Sequence, residues 1–329
     1  MTERPRALVT APFRGPGLDQ LEGRCDVVVD PWIDHRPLRL YNAEQLAERI
    51  DAESAEVLIV ESDSVKGPVF ERKLRVIGSC RGDPTNVDIA AATAAGIPVL
   101  RAPGRNADGV AEMTIALLFA VNRWVLQGDA DVRQGQVYAN GIIPYQRYRA
   151  WQLAGRTVGI VGLGAVGRAA KWRLEGVGMH VVSYDPYNPD ATHRTPAGLD
   201  EMLGECDVVS MHAVVTEETA GLIDAARFAR MKPGAIFLNT ARAMLHDTDA
   251  LTAALASGHL GGAGLDHFVG EHLPTDHPLC SMPNVVLTPH IGGATYDTEV
   301  NHSAMIAADV VRILDGNAPL HCVNPEVLS

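Results

Sequence analysis

Three segments in the C-terminal half gather polar residues of types that can act on a carbonyl: LNTARAMLHD (238–247), GLDHFVGEHLPTDHPL (264–279) and VVLTPHIGGAT (285–295). A carbonyl carbon that accepts a hydride needs a proton donor titrating near neutrality. It also needs a cation to anchor an acid group and polarise the C=O, and a group that tunes the donor. His290, Arg242 and Glu271 are of those types. Each has an ordinary alternative: most of the 12 histidines must fill surface or core, an arginine after a strand can cap a carbonyl, and a glutamate in a polar loop is usually a solvated charge.

A hydride carrier is legible upstream. TVGIVGLGAVGR (157–168) puts GxGxxG directly after an expected strand and at the opening of an expected helix. Gly162 would permit the tight turn, Gly164 would let the backbone approach a pyrophosphate, and Gly167 would let helix and strand pack closely. The first turn, Ala165, Val166 and Gly167, would then present unpaired N–H groups and a partial positive charge to the phosphates. About 18 residues beyond Gly167 the next strand ends at Asp185. Its carboxylate can accept hydrogen bonds from ribose hydroxyls and would repel a 2′-phosphate, so NAD is expected rather than NADP.

The elements that must position these residues form two alternating series. From the N-terminus, RALVT, CDVVVD, AEVLIVE, LRVIGSC and IPVL read as strands, with helical stretches such as NAEQLAERI and DIAAATAAG between them. From Asn106, Val110, Met113, Thr114, Leu117, Val121 and Trp124 recur at spacings of three and four, predicting a long amphipathic helix capped by Asn106 or Asp108. A polar, aromatic stretch (134–151) follows. The second series then runs TVGIV, HVVSYD, DVVSMHA, AIFLNTA, GAGLDH and NVVLTPH, and a last amphipathic helix lies beyond Ile291.

Composition bounds the answer. With 329 residues the chain exceeds a single core, so two domains are expected. A net charge of −12 disfavours nucleic acid or an anionic membrane as main partner. Five scattered cysteines without CxxC spacing do not suggest a disulfide framework, and the N-terminus lacks the apolar run of a signal peptide, so a cytoplasmic setting is expected. No metal-ligand spacing is evident.

With these motifs in view, the chain resembles the D-isomer-specific 2-hydroxyacid dehydrogenase family along essentially its whole length. The pieces that carry the resemblance are GLGAVGR followed by YDPY, LNTAR, the acid five positions beyond the Asp of LDHF, and TPHIGGAT. Glyoxylate/hydroxypyruvate reductases and phosphoglycerate dehydrogenases without their regulatory domain are the type implied. The resemblance makes Arg242 the substrate-binding arginine, Glu271 the acid paired with the catalytic histidine, and His290 that histidine. As imidazolium, His290 would protonate the carbonyl oxygen while NADH delivers hydride; Glu271 would orient the ring and favour its charged form. Asp266 would hold the nicotinamide carboxamide, and Thr240, Ala241 and Gly292 would lie beside the cofactor. In the first series, SCRGDPTNVD matches the family's substrate loop, with Gly82 and Asp83 on the positions whose N–H groups take the substrate carboxylate.

The implied fold is two doubly wound parallel-sheet domains. A flavodoxin-like substrate domain would comprise 1–105 and 296–329, and a Rossmann NAD domain 106–295, with cofactor and substrate in the cleft between them. A homodimer through the nucleotide domain is implied, with the helix around Leu117 to Trp124 suited to the interface. This chain departs from the family pattern at several places. Arg81 offers an extra cation in the substrate loop, a feature that would suit a sugar acid, phosphate or phosphonate end. Ala243 replaces the glycine after the arginine, His267 stands where an aliphatic residue is common, and Val214 replaces the proline of the HxPxT run. Glu61 and Ser62 occupy a loop where phosphoglycerate dehydrogenases carry cations. Tyr145, Arg147 and Tyr148 could form a lid, whereas Trp151 is expected to pack on the long helix. The alternative function on the same fold is an NAD(H)-sensing corepressor-like binding protein.

Overall fold

A computed structural model describes residues 4–138 and 141–328, so Met1–Glu3, Ser329 and, within the aromatic stretch, Ala139 and Asn140 lie outside it. The chain forms two compact units, one reaching Arg105 and resuming at Thr295, the other Asn106–Ala294. In the first unit the order is β1 (Arg6–Val9), α1 (Pro16–Glu22), β2 (Asp26–Val29), α2 (Ala43–Glu53), β3 (Val57–Val60), β4 (Val76–Ser79), α3 (Ile89–Ala94) and β5 (Val99–Leu100). The second continues with α4 (Ala107–Asn122), α5 (Val125–Arg133), α6 (Pro144–Arg147), β6 (Thr157–Val161), α7 (Ala165–Gly176), β7 (His180–Tyr184), α8 (Pro196–Glu205) and β8 (Val208–Met211). It ends with α9 (Ala225–Arg230), β9 (Ile236–Asn239), α10 (Thr248–Ala256), β10 (Gly262–Leu265) and β11 (Val285–Leu287), after which α11 (Tyr296–Leu314) rejoins the first unit.

The first unit has a five-stranded sheet in the order β2-β1-β3-β4-β5, every pair parallel. This is the flavodoxin-type order. All four residues of β3 are buried, the signature of a strand covered on both faces. They alternate between two cores. Leu58 and Val60 pack with Leu46 and Ile50 of α2, while Val57 and Ile59 pack with Ile306 and Val310 of α11. Each such side chain contributes on the order of 1.5–3 kcal/mol by leaving water. Helix α2 starts where Asn42 and Gln45 cap each other reciprocally, satisfying two otherwise orphaned N–H groups.

The second sheet runs β11-β10-β9-β8-β6-β7, again all parallel, so strand order reverses between β6 and β8. Ligands of open α/β sheets bind at such a switch point, beyond the carboxyl ends of the strands. Helix α4 lies on this sheet and buries Val110, Ala111, Thr114, Leu117, Leu118 and Val121.

Three sequence expectations about α4 need correction. It stops at Asn122, because Trp124 takes a left-handed conformation (φ 54°) and the chain bends by 62° into α5. Neither Asn106 nor Asp108 caps it: Asn106 makes no side-chain cap bond, and Asp108 sits in the first turn, paired with Arg173 at 2.9 Å. Leu117 and Val121 face their own sheet, so they are not an exposed interface. No single helix is long and apolar enough to cross a membrane.

Candidate active site

The turn after β6 is built as its glycines require. Gly162 has φ 94°, and a Cβ there would meet Ala213 N at 2.5 Å, because the chain leaving β8 passes directly beside it. A Cβ on Gly167 would overlap the carbonyl oxygen of Gly162, so α7 sits tightly against the turn. At Gly164 nothing lies within 4 Å of the Cβ position. Gly164 is also the N-cap of α7 and provides no side chain to satisfy the first-turn N–H groups of Ala165, Val166 and Gly167. Open space in front of unsatisfied donors is what a pyrophosphate needs.

Asp185, at the end of β7, is aimed back at this turn: one oxygen accepts from Leu163 N at 2.9 Å, the other from Tyr187 N at 2.9 Å and Asn188 N at 3.2 Å. These three bonds fix the carboxylate and leave acceptor capacity for ribose hydroxyls. Gly162, Gly164, Asp185, His212, Ala213 and Glu218 are among the residues lining a cavity of about 640 Å³. His212, from the HxPxT-like run, was not expected here. Its Nε2 pairs with Ser210 Oγ at 2.9 Å, its Nδ1 has no partner among the described residues, and burial pushes it down to about 4, so it stays neutral.

The candidate acid/base residues follow β10 and β11, at the other edge of the same sheet. His290 Nδ1 lies 2.8 Å from Glu271 Oε1. Both residues adopt left-handed backbone, φ 54° at His290 and 56° at Glu271, a conformation that non-glycine residues take at a cost and that clusters at functional sites. Asp266, at the end of β10, holds the His290 loop in that shape. Buried to 1% exposure, it accepts from Thr288 Oγ1 at 2.6 Å, Ile291 N at 2.9 Å and Gly292 N at 2.7 Å. Three of the roughly four acceptor sites of the carboxylate are thereby taken, as at Asp185, so Asp266 shapes the loop and keeps about one acceptor site.

Arg242 follows β9, its backbone carbonyl held by Asn239 Nδ2 at 2.8 Å and its guanidinium donating to Ala241 O at 2.7 Å. Thr240 is buried; its hydroxyl donates to Thr114 Oγ1 at 2.8 Å, since the Thr114 proton is committed to Val110 O at 2.9 Å. The helical stripe already placed Thr114 on the buried face, but its contact with Thr240 comes only from the seating of α4 on β9.

Sequence reading left His267 outside the acid/base set. This half-buried ring places Nε2 3.3 Å from the Glu271 oxygen that His290 uses, and its centroid is 4.5 Å from that of His290. The one available signal was the i, i+4 spacing of His267 and Glu271.

In the first unit Arg81, Gly82 and Asp83, expected from the sequence to form a substrate loop, make a bend after β4, anchored by Ala102 N donating to Arg81 O at 2.8 Å and by Thr85 N donating to Asp83 O at 3.0 Å. Glu61 is neutralised by Arg105 at 2.5 Å, and Arg105 donates to His302 Nδ1 at 2.7 Å. In the aromatic stretch, Arg147 pairs with Asp131 at 2.5 Å, whereas Trp151 is 73% exposed beneath Arg156 and does not pack on the long helix.

The profile described as "D-isomer specific 2-hydroxyacid dehydrogenase, NAD binding domain" matches residues 115–292, more than half of the chain. The chain belongs to this family. Members similar to it include a glyoxylate reductase of Thermofilum pendens, 36% identical over 99% of this chain and 96% of its own length. A glyoxylate reductase of Korarchaeum cryptofilum is 34% identical over 99% and 97%. Among solved structures, the TT0316 protein of Thermus thermophilus is 37% identical, with a TM-score of 0.81 covering 97% of this chain and 99% of that one. In this D-2-hydroxyacid dehydrogenase the second unit therefore binds a nicotinamide dinucleotide, consistent with the open, donor-rich turn at Gly164.

Proposed function

We propose that the chain interconverts a 2-oxo acid and its D-2-hydroxy acid, with His290 as acid/base. The observation that carries the proposal is the 2.8 Å contact of His290 Nδ1 with Glu271, which commits Nδ1 to the carboxylate and leaves Nε2 to exchange a proton with substrate. In reduction, Nε2–H protonates the carbonyl oxygen as it gains charge; in oxidation the same nitrogen takes the hydroxyl proton. Glu271 keeps the ring oriented and stabilises its imidazolium. Arg242 anchors the substrate carboxylate and polarises the carbonyl. The nicotinamide dinucleotide, when bound, supplies or accepts the hydride. Gly162, Gly164, Ala165, Val166 and Gly167 would hold its pyrophosphate, Asp185 its ribose, and Thr240, Ala241, Asp266 and Gly292 its nicotinamide end. NAD is preferred to NADP, because a 2′-phosphate would meet Asp185, Glu217 and Glu218 in one cavity.

The first unit is the proposed substrate domain, with the N–H groups of Gly82 and Asp83 as carboxylate donors and Arg81 selecting among acids. Relatives named glyoxylate reductase, and a similar solved structure named glyoxylate/hydroxypyruvate reductase, make glyoxylate and hydroxypyruvate the first substrates to try. A homodimer through the second unit is supported by apolar Val125, Leu126 and Val132, all at least half exposed on α5. Free cysteines fit a cytoplasmic setting. The test is NADH oxidation with a panel of 2-oxo acids, alongside His290→Asn. Turnover abolished in the variant is expected; tight NADH binding by the native chain with no turnover on any acid would refute the proposal in favour of a sensor.

A further inference from the structure

Beside the proposed acid/base pair stands a second imidazole, His267. Its surroundings determine which of its nitrogens carries the proton. Ala243 N–H points at Nδ1 from 3.4 Å, making Nδ1 an acceptor. Nε2 therefore bears the hydrogen and faces Glu271 Oε1 at 3.3 Å, the oxygen already 2.8 Å from His290 Nδ1. The His267 side chain is 11% exposed, against 57% for Glu271; His290 Nδ1 makes the hydrogen bond to the carboxylate, and His267 Nε2 is a second imidazole nitrogen within ion-pair distance of the same oxygen.

We propose that His267 is a positioning residue: it shares the Glu271 carboxylate with His290, and so sets how tightly that carboxylate holds the catalytic proton. The proposal rests on reading His290 and Glu271 as the acid/base pair. A neutral imidazole whose Nε2–H lies 3.3 Å from Oε1 sets the positive end of its dipole beside the oxygen that stabilises the His290 imidazolium, and so weakens the hold of that oxygen on the cation. The proton is then released more readily to substrate than from a carboxylate devoted to His290 alone. With an aliphatic residue at 267, Glu271 would serve His290 undivided and hold the proton to higher pH.

His267 must stay neutral for this, and its environment keeps it so. Burial pushes its imidazole below the ordinary range; Glu271 opposes this, His290 and Arg242 reinforce it, and Asp266 opposes it. On its other side His246, Asp249, His272 and His277 line a cavity of about 230 Å³ together with His267.

The experiment compares His267→Val and His267→Gln with the native enzyme. Rates of 2-oxo acid reduction are followed across pH, and the histidine tautomers are read by nitrogen-15 NMR. In His267→Val the alkaline limb of kcat/KM should move upward by about half to one pH unit, the size of one hydrogen bond's effect on a neighbouring ionisation. His267→Gln, whose amide N–H can present the same positive dipole end to Glu271, should keep the native profile. The native spectrum should show His267 protonated at Nε2 and bare at Nδ1. A Val profile that superimposes on the native one or shifts downward overturns the proposal, as does a proton on Nδ1. If no 2-oxo acid is reduced at all, the dehydrogenase reading fails, while the tautomer still decides whether His267 shares Glu271.

Discussion

Replacing Gly164 and Gly167 separately by alanine should divide binding from stability within one turn. At Gly167 a new Cβ would overlap the Gly162 carbonyl oxygen and stand 3.1 Å from its carbon and 3.4 Å from Ile160 Cγ2. Helix propensity alone would favour alanine there by about 1 kcal/mol. The overlap is with backbone, however, which cannot swing aside as a side chain would, and overpacking costs about 1–3 kcal/mol or more. The clash should win, lowering the stability of the second unit by a net of up to about 2 kcal/mol. At Gly164 the Cβ position is empty and the backbone is extended (φ −73°, ψ −160°), open to any residue. The entropy gained in replacing glycine, about 0.4–1 kcal/mol, and alanine's poorer capping nearly cancel, leaving stability within about 1 kcal/mol. NADH affinity should nevertheless fall at least about tenfold, because a methyl group holds the pyrophosphate off the α7 N–H groups and charged hydrogen bonds are worth about 1.5–3 kcal/mol each. Urea unfolding of the apo protein and fluorescence titration with NADH measure the two effects. Native NADH affinity in Gly164→Ala, or native stability in Gly167→Ala, would refute the reasoning.

Acidification should destabilise the fold through buried neutral histidines. His212, His246 and His302 are each pushed down to about 4 by burial, so the unfolded chain binds protons that the folded one refuses between the ordinary histidine value and that limit. Stability is then complete above about pH 6.5 and declines below it, by about 2 kcal/mol per histidine at about pH 5; unchanged urea midpoints at the two pH values would contradict this. Glu271→Gln, which keeps a hydrogen-bonding group but removes the charge 2.8 Å from His290, should lower kcat for reduction by roughly 10- to 1000-fold. The KM for the 2-oxo acid should change little, and a large KM effect with normal kcat would point to substrate binding instead. Asp185→Asn should reduce the preference for NADH over NADPH at least about tenfold, read as the ratio of kcat/KM values, since it removes one of the acids facing a 2′-phosphate.

Much of the dinucleotide turn was readable in the chain because its parts are neighbours in sequence. Strand β6, the turn at Gly162–Gly167, α7 and Asp185 follow one another, so spacing alone places them, and the Val- and Ile-rich strands announce themselves by composition. The types of Arg242, Glu271 and His290 were equally visible. What spacing could not supply was which distant segments become adjacent. A parallel sheet aligns the carboxyl ends of strands far apart in sequence, and the order β11-β10-β9-β8-β6-β7 is set by how the crossovers pack, not by any periodicity. That order brings His212 against Gly162, and α4 lying on the sheet brings Thr114 to Thr240. The same helix showed an apolar stripe, but a stripe does not tell a partner chain from the unit's own sheet, so Leu117 and Val121 proved to be core. The sequence determined the chemistry of the site by residue type. Packing alone decided that one carboxylate oxygen, on Glu271, would lie within reach of two imidazole nitrogens, because loops folded through left-handed residues at 271 and 290 bring both rings beside the same atom.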